Sequence, residues 1–155
     1  MENSIIALQG RGESGKTTSI GLMYEQLVDH SGFTVIQSNF QSAGANKEFR
    51  AVLKVDGVLV GVTSKGDTYD YVKIDLEFLI EKGCTVIICA CRTSDRSRNG
   101  NPRRGSNLAI DEYTDYMIYR IRKSVSGRVD TEEKNNEKDA ERLLKKCFEV
   151  LGVTE

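Results

Sequence analysis

Apolar and polar positions along this chain switch repeatedly between a strand-like and a helix-like period. Ser4 to Gln9 holds a short apolar run, Ile5-Ile6-Ala7-Leu8, that ends in a glycine-rich turn from Gly10 to Gly15. Ile20, Met23, Tyr24, Leu27 and Val28 then fall on one face at helical spacing. Asp29-His30-Ser31-Gly32 ends that helix, with Gly32 a good stop. Phe33 to Ser38 reads as a strand, and the β-α-β order predicts parallel pairing. Phe49 to Val55 and Val58 to Thr63 are β-rich runs joined by Asp56-Gly57, a hairpin signal because both turn residues take positive φ.

Val72, Leu76 and Leu79 align on a helix predicted over Thr68 to Lys82, which Gly83 stops. Thr85 to Cys91 is a continuous apolar run, as expected of a strand buried on both faces. Arg92 to Asn107 is a polar loop with Arg92, Arg96, Arg98, Arg103, Arg104 and the sole proline. Leu108 to Asp115 reads as a short helix. Tyr116 to Val125 alternates as a strand, with a helix as the alternative, and Ser126-Gly127 breaks it. The last helix opens on Asp130 with Glu133 three residues on, a capping box. Ala140, Leu143, Leu144, Cys147 and Leu151 form its buried stripe, and its polar first half, Glu132 to Asp139, is expected to fray. No repeat or boundary interrupts the pattern, so residues 1–155 read as one domain.

Composition adds exclusions. With 39% apolar and 29% charged residues, the 155-residue chain has the balance of a soluble globular protein. A net charge of −1 gives no whole-protein field toward nucleic acid or an anionic membrane, so any basic site is local. The first residues lack a basic leader and no stretch has the length of a membrane span, which points to a cytoplasmic protein. Cys84, Cys89, Cys91 and Cys147 include no C-x-x-C pair, and His30 is the sole histidine, so zinc is poorly supplied. The thiols read as reduced, with Cys89 and Cys91 packed on one sheet face. His30 reads as a capping cation or an exposed residue. Tyr113, Tyr116 and Tyr119 read as a partly buried face, with stacking on a base as the alternative.

The chemistry lies near the amino end. Gly10-Arg11-Gly12-Glu13-Ser14-Gly15-Lys16-Thr17-Thr18 satisfies G-x-x-x-x-G-K-[ST], with an apolar strand before it and an amphipathic helix after it. Glycines let successive N–H groups curl inward toward phosphate oxygens, and a helix starting near Gly15 adds its positive end. In that arrangement Lys16 bridges the β- and γ-phosphates and the Thr17 hydroxyl ligates Mg²⁺. Glu13 reads as a solvent-facing filler. On residues 4–30, under a fifth of its length, the chain resembles the P-loop NTPase superfamily. The resemblance implies an α/β, three-layer fold with the nucleotide at the C-terminal ends of the strands. With the pattern above, the sheet should be mostly parallel with one antiparallel hairpin at about 49–63.

A second acid for Mg²⁺ is expected after an apolar strand, yet Thr85 to Cys91 leads into Arg92-Thr93. The hairpin strand leads instead to Asp67, much as a hairpin delivers the metal-side aspartate in small GTPases. Asp67 therefore has two readings, metal ligand or N-cap of the following helix, whereas Asp56 reads as a turn residue. Arg92 sits where a strand end would face bound phosphates. The arginines to Arg104 read as a solvated loop, a lid, or a clamp for a phosphate-bearing substrate or partner protein.

Three P-loop classes compete. A small kinase fits the size and the arginine-rich loop, but Gln37-Ser38-Asn39-Phe40-Gln41 lacks an acid. A GTPase would need N/T-K-x-D, of which Arg92-Thr93-Ser94-Asp95 keeps only the last residue, and D-x-x-G is absent after the hairpin. Partitioning ATPases and signal-recognition GTPases are similar at Gly15 to Thr18, but their acid after the second strand is replaced by Ser38 or Asn39. The expectation is an ATP- and Mg²⁺-binding ATPase or kinase-like phosphotransferase, with Lys16, Asp67 and Arg92 catalytic and Thr17 and Asp67 on the metal. No general base stands out. The alternative is a nucleotide-gated switch that signals to a partner protein through 39–47 or 92–107.

Overall fold

The computed structural model describes residues 2–12, 14–45, 47–93, 97–98, 101–102, 105–125 and 129–153, with backbone only at 97–98, 101–102 and 129–130. Its central strand, β1 (Ser4–Gln9), is flanked by parallel β5 (Cys84–Cys91) and β8 (Met117–Arg122). Ile5 and Ala7 point to one face and Ile6 and Leu8 to the other, all four fully buried. Each isoleucine or leucine buried this way stabilises the fold by about 1.5–3 kcal/mol. On the first face lie α2 (Tyr69–Glu81) and α3 (Ser106–Asp111), and on the second α1 (Lys16–Asp29) and α4 (Val129–Leu151). The result is a mixed α/β fold, a six-stranded sheet with helices on both faces.

With β2 (Thr34–Ser38), β3 (Arg50–Val55) and β4 (Val58–Thr63), the strand order is β2-β3-β4-β5-β1-β8. β3 and β4 form the expected antiparallel hairpin, and its turn residues Asp56 and Gly57 have φ of 50° and 78°. β4 then runs parallel to β5. The expectation for the strand after α1 needs correction. β2 does not pair with β1; it lies at the far edge, antiparallel to β3. The reason is competition for β1's two flanks. The buried apolar run of β5 and the alternating strand β8 take them, while every residue of β2 remains exposed, as its half-polar sequence tolerates.

The last helix also departs from expectation. α4 is continuous from Val129 to Leu151, so Asp130 lies inside its first turn rather than at the N-cap. Its polar first half does not fray, because Asp139 is fully buried beneath it. Ser126, Gly127, Arg96, Arg103 and Arg104 lie outside the described residues. The short strands β6 (Ser97–Arg98) and β7 (Asn101–Pro102) pair antiparallel within the arginine-rich loop.

All four cysteines are buried and free. Burial pushes Cys84 and Cys91 up to about 11, Cys147 up to about 12 and Cys89 well above the ordinary thiol. Because the thiolate is the reactive form, the native protein should label with a thiol-specific reagent at pH 7–8 far more slowly than free cysteine. Denaturant should release all four sites; rapid labelling of a native thiol would contradict this packing.

Candidate functional site

Strand register brings the site together. Gln9 of β1 pairs with Cys91 of β5 and Arg122 of β8, so Gly10, Arg92 and Lys123 follow side by side at one end of the sheet. The Gly10 N–H donates to the Cys91 carbonyl at 3.0 Å, and the Lys123 N–H to the Gln9 carbonyl at 2.7 Å. The glycine loop is crowded by its neighbours. A side-chain carbon at Gly10 would come within 2.7 Å of Lys123 Cβ, and one at Gly12 within 2.7 Å of the Arg92 guanidinium.

Gly15 closes the loop in the left-handed conformation, φ 93°, which suits glycine. It occupies the N-cap of α1 and supplies no side-chain acceptor, and the first turn carries no acid. Gly15 thus gives the opening N–H groups of α1 no side-chain cap, and a helix N-terminus favours an anion. Lys16 is 6% exposed and folds back on the loop, its Nζ donating to the Gly10 carbonyl at 2.6 Å and the Arg11 carbonyl at 2.9 Å. Among the described residues it has no carboxylate in ion-pair contact. Burial lowers the Lys16 pKa; Asp67 nearby opposes that shift and Arg92 adds to it. The Ser14 hydroxyl is also buried without a hydrogen-bond partner among the described residues.

Arg92 is held firmly. Its N–H donates to Ser106 Oγ at 2.8 Å, and its carbonyl accepts from Asn107 Nδ2 at 2.7 Å. Asn107 in turn accepts from Gln9 Nε2 at 3.0 Å, so the start of α3 locks the ends of β1 and β5 together. The guanidinium covers Gly12 and pairs with Asp67 at 3.4 Å. Its Nε is buried without a hydrogen-bond partner among the described residues.

Asp67 arrives by an indirect route. β5 separates its parent strand β4 from β1, unlike a hairpin strand placed directly beside the loop. The connection crosses back over the end of β5 at Gly66, where an added Cβ would lie 2.6 Å from the Ala90 backbone. Asp67 is not the helix cap: Thr68 is, its side chain accepting from the Tyr71 N–H at 3.2 Å.

These residues border a cleft of about 480 Å³. Ser14, Gly15, Lys16, Thr17 and Thr18 form its floor; Glu48, Ser64, Gly66 and Asp67 form one wall and Glu132 and Asn136 the other. The structure thus gathers Lys16, Thr17, Thr18 and Asp67 around one cavity, with Arg92 over Gly12 beside it. Arg11 is exposed, and Glu13 lies outside the described residues. None of Tyr113, Tyr116 and Tyr119 lines the cleft. The first two pack edge to face, and Lys146 sits over the third. His30 caps the C-terminus of α1 and packs against Phe33 and Phe148.

Glu48, Ser64, Glu132 and Asn136 were not among the expected site residues. Ser64 binds Phe49 through both its N–H and its hydroxyl, which fixes the chain beside Glu48 at the rim. Desolvation and the nearby charge of Asp67 raise the Glu48 pKa. Behind the loop, Lys123 Nζ pairs with buried Asp139 at 2.9 Å. Asp139 also accepts from the Ser124 N–H and hydroxyl at 2.8 Å each and from Arg142 at 2.9 Å. This network fastens α4 to the strand end that abuts Gly10.

Comparison with known protein families, with curated proteins and with solved structures returned no match.

Proposed function

We propose that this protein binds ATP with Mg²⁺ in the cleft over the glycine loop and hydrolyses or transfers the γ-phosphoryl group. The observation that carries this reading is the buried Lys16 ammonium. Among the described residues it donates only to loop carbonyls, at the N-terminus of α1, beside a buried Ser14 hydroxyl that has no hydrogen-bond partner among those same residues. A buried cation with no carboxylate in ion-pair contact among the described residues, at a helix N-terminus, suits a polyanion. We read the fold as the three-layer sheet of the P-loop NTPases, extended by β3 and the edge strand β2.

In this reading the glycine-loop N–H groups hold the phosphate chain. Lys16 turns from the loop carbonyls to the β–γ bridge, and Arg92 stabilises charge developing on the transferred group. Thr17 and Asp67 would hold Mg²⁺, which when bound neutralises charge on the β- and γ-oxygens. Among the described residues no three His, Cys, Asp or Glu side chains form a ready-made metal cage. Magnesium at nucleotide sites takes one or two carboxylates and completes its shell with phosphate and water, which Thr17 and Asp67 suit.

Thermal stabilisation by ATP, GTP and their diphosphates, with and without Mg²⁺, tests the reading. ATP at a hundred times its dissociation constant adds about 2.7 kcal/mol, a rise of roughly 5–10 °C for a domain of this size. No shift with any nucleotide would refute it. ATP turnover separates hydrolase, turnover only with an added acceptor separates kinase, and tight binding without turnover leaves the switch.

Asp67→Asn should weaken ATP binding about fivefold in Mg²⁺ and leave binding in EDTA nearly unchanged. Thr68→Ala should do the reverse, costing about 1 kcal/mol of stability through the lost cap with no change in affinity. Calorimetric titrations and melts of the two variants check both; equal loss of Mg²⁺-free and Mg²⁺-dependent binding in Asp67→Asn would remove the metal role.

A further inference from the structure

The buried stripe of α4 does not stop where its apolar residues stop. Stepping back from Leu143 at helical spacing gives Asp139 or Ala140, then Asn136, then Glu132, all toward one face. Leu143 and Ala140 are in the core, and Asp139 is fully buried against Lys123. Asn136 lies against Gly15, where an added Cβ would collide with its Oδ1, and that oxygen accepts from Ser19 Oγ at 3.4 Å. One turn further, Glu132 lines the same cleft. The stripe turns polar where it passes the glycine loop, so packing alone does not account for its residue types.

The cleft is chemically lopsided. At the Gly12 side stands Arg92, paired with Asp67. At the Gly15–Ser19 side stand a carboxylate and a carboxamide, Glu132 and Asn136; the cation among the described lining residues is Lys16 on the floor, and the opposite wall carries the carboxylates Glu48 and Asp67, the latter toward Arg92. On the triphosphate reading above, the phosphates belong with Lys16 and Arg92. A carboxylate is a poor neighbour for phosphate and a good acceptor for a sugar diol, since ionised it offers two oxygens to two O–H donors.

We propose that Glu132, supported by Asn136, binds the ribose hydroxyls of the nucleotide, making the site selective for ribonucleoside over 2′-deoxyribonucleoside triphosphates. The inference rests on the triphosphate reading and goes beyond it by naming the sugar and the residues that read it. The Glu132 side chain is exposed at the rim, so truncating it leaves the packing of α4 intact.

The test measures ATP and dATP affinity by calorimetry for the unaltered protein, Glu132→Ala and, as a control, the exposed neighbour Glu133→Ala. The unaltered protein and Glu133→Ala should bind ATP about tenfold tighter than dATP, the worth of one charge-assisted hydrogen bond. Glu132→Ala should weaken ATP, which loses both hydrogen bonds, about a hundredfold, and dATP, which keeps only the 3′-hydroxyl, about tenfold, so that the two bind equally. Equal affinity of the unaltered protein for the two nucleotides overturns the proposal. So does an equal loss of both in Glu132→Ala, or a gain of both, which would mean that the carboxylate merely repels phosphate. If the unaltered protein binds neither nucleotide, the triphosphate reading itself has failed and takes this proposal with it.

Discussion

Lys16→Ala is expected to weaken ATP binding more than about a hundredfold while leaving the fold in place. Lys16 is 6% exposed, and its ammonium is held by two carbonyls of its own loop, at 2.6 and 2.9 Å. On binding it exchanges those neutral acceptors for phosphate oxygens. Each charge-assisted hydrogen bond contributes about 1.5–3 kcal/mol, so losing two exceeds the roughly 2.7 kcal/mol that a hundredfold represents. Stability should move little, or upward. Burial lowers the Lys16 pKa, so the folded chain holds that proton less tightly than the unfolded chain does. At neutral pH the charged side chain therefore opposes folding, and the opposition fades only as pH rises through the lowered pKa. Melts without nucleotide and titrations with ATP separate the two effects. A variant that melts normally and still binds ATP with unaltered affinity would end the phosphate role of this loop.

Asp139→Ala should cost about 3–5 kcal/mol of stability, because it leaves the buried Lys123 ammonium without its partner. The side chains of this pair are 0% and 1% exposed. Burial alone would raise the Asp139 pKa; hydrogen bonds from Lys123 and Ser124, with the Lys123 charge, outweigh it and hold the carboxyl below the ordinary value. A lowered carboxyl contributes stability that is complete above the ordinary aspartate range, about pH 4, and is lost as pH falls through the native pKa. The native protein should therefore lose stability in acid below about pH 4, and Asp139→Ala should show a shallower fall over that range. Removing both charges, Lys123→Met with Asp139→Leu, should recover part of the loss: an apolar pair replaces the ion pair, but the Ser124 N–H and hydroxyl lose their acceptor. Denaturant titrations at several pH values check the set; a single variant as stable as the native protein would show the network to be idle. Because Lys123 Cβ abuts Gly10, the single variant should also weaken ATP binding.

Features set by neighbours in the chain were legible from the sequence. The apolar run of β1, the helical face of α1, the Asp56-Gly57 hairpin and the loop around Gly15 all appear where their residues indicate. Each depends on side-chain period or on the φ of one or two residues, and such preferences act within a few positions along the chain. Glu132 and Asn136 were partly legible as well: they continue the stripe of Leu143 and Cys147, and their polarity concealed their position. Glu48 carried no such signal, because it reaches the cleft only through the pairing of Phe49 with Ser64.

By itself the chain determined most of the strands and helices, where the glycine loop falls, and that Lys16 follows it. It left Tyr116 to Val125 open between strand and helix, read β6 and β7 as loop, and set the short helix at Leu108 to Asp115 where α3 spans Ser106–Asp111. Tertiary structure decided which strands are neighbours. It sent β2 to the edge, put β5 rather than the hairpin beside β1, and carried Asp67 and Arg92 to the loop from separate parts of the chain. It also chose Thr68 over Asp67 as the helix cap and buried Asp139 under a helix half that reads as solvent-facing. The division has one physical cause. Backbone conformation responds to local sterics and hydrogen bonding, whereas strand order and charge pairing depend on how competing apolar surfaces share the same flanks of a sheet, which no short stretch of sequence encodes.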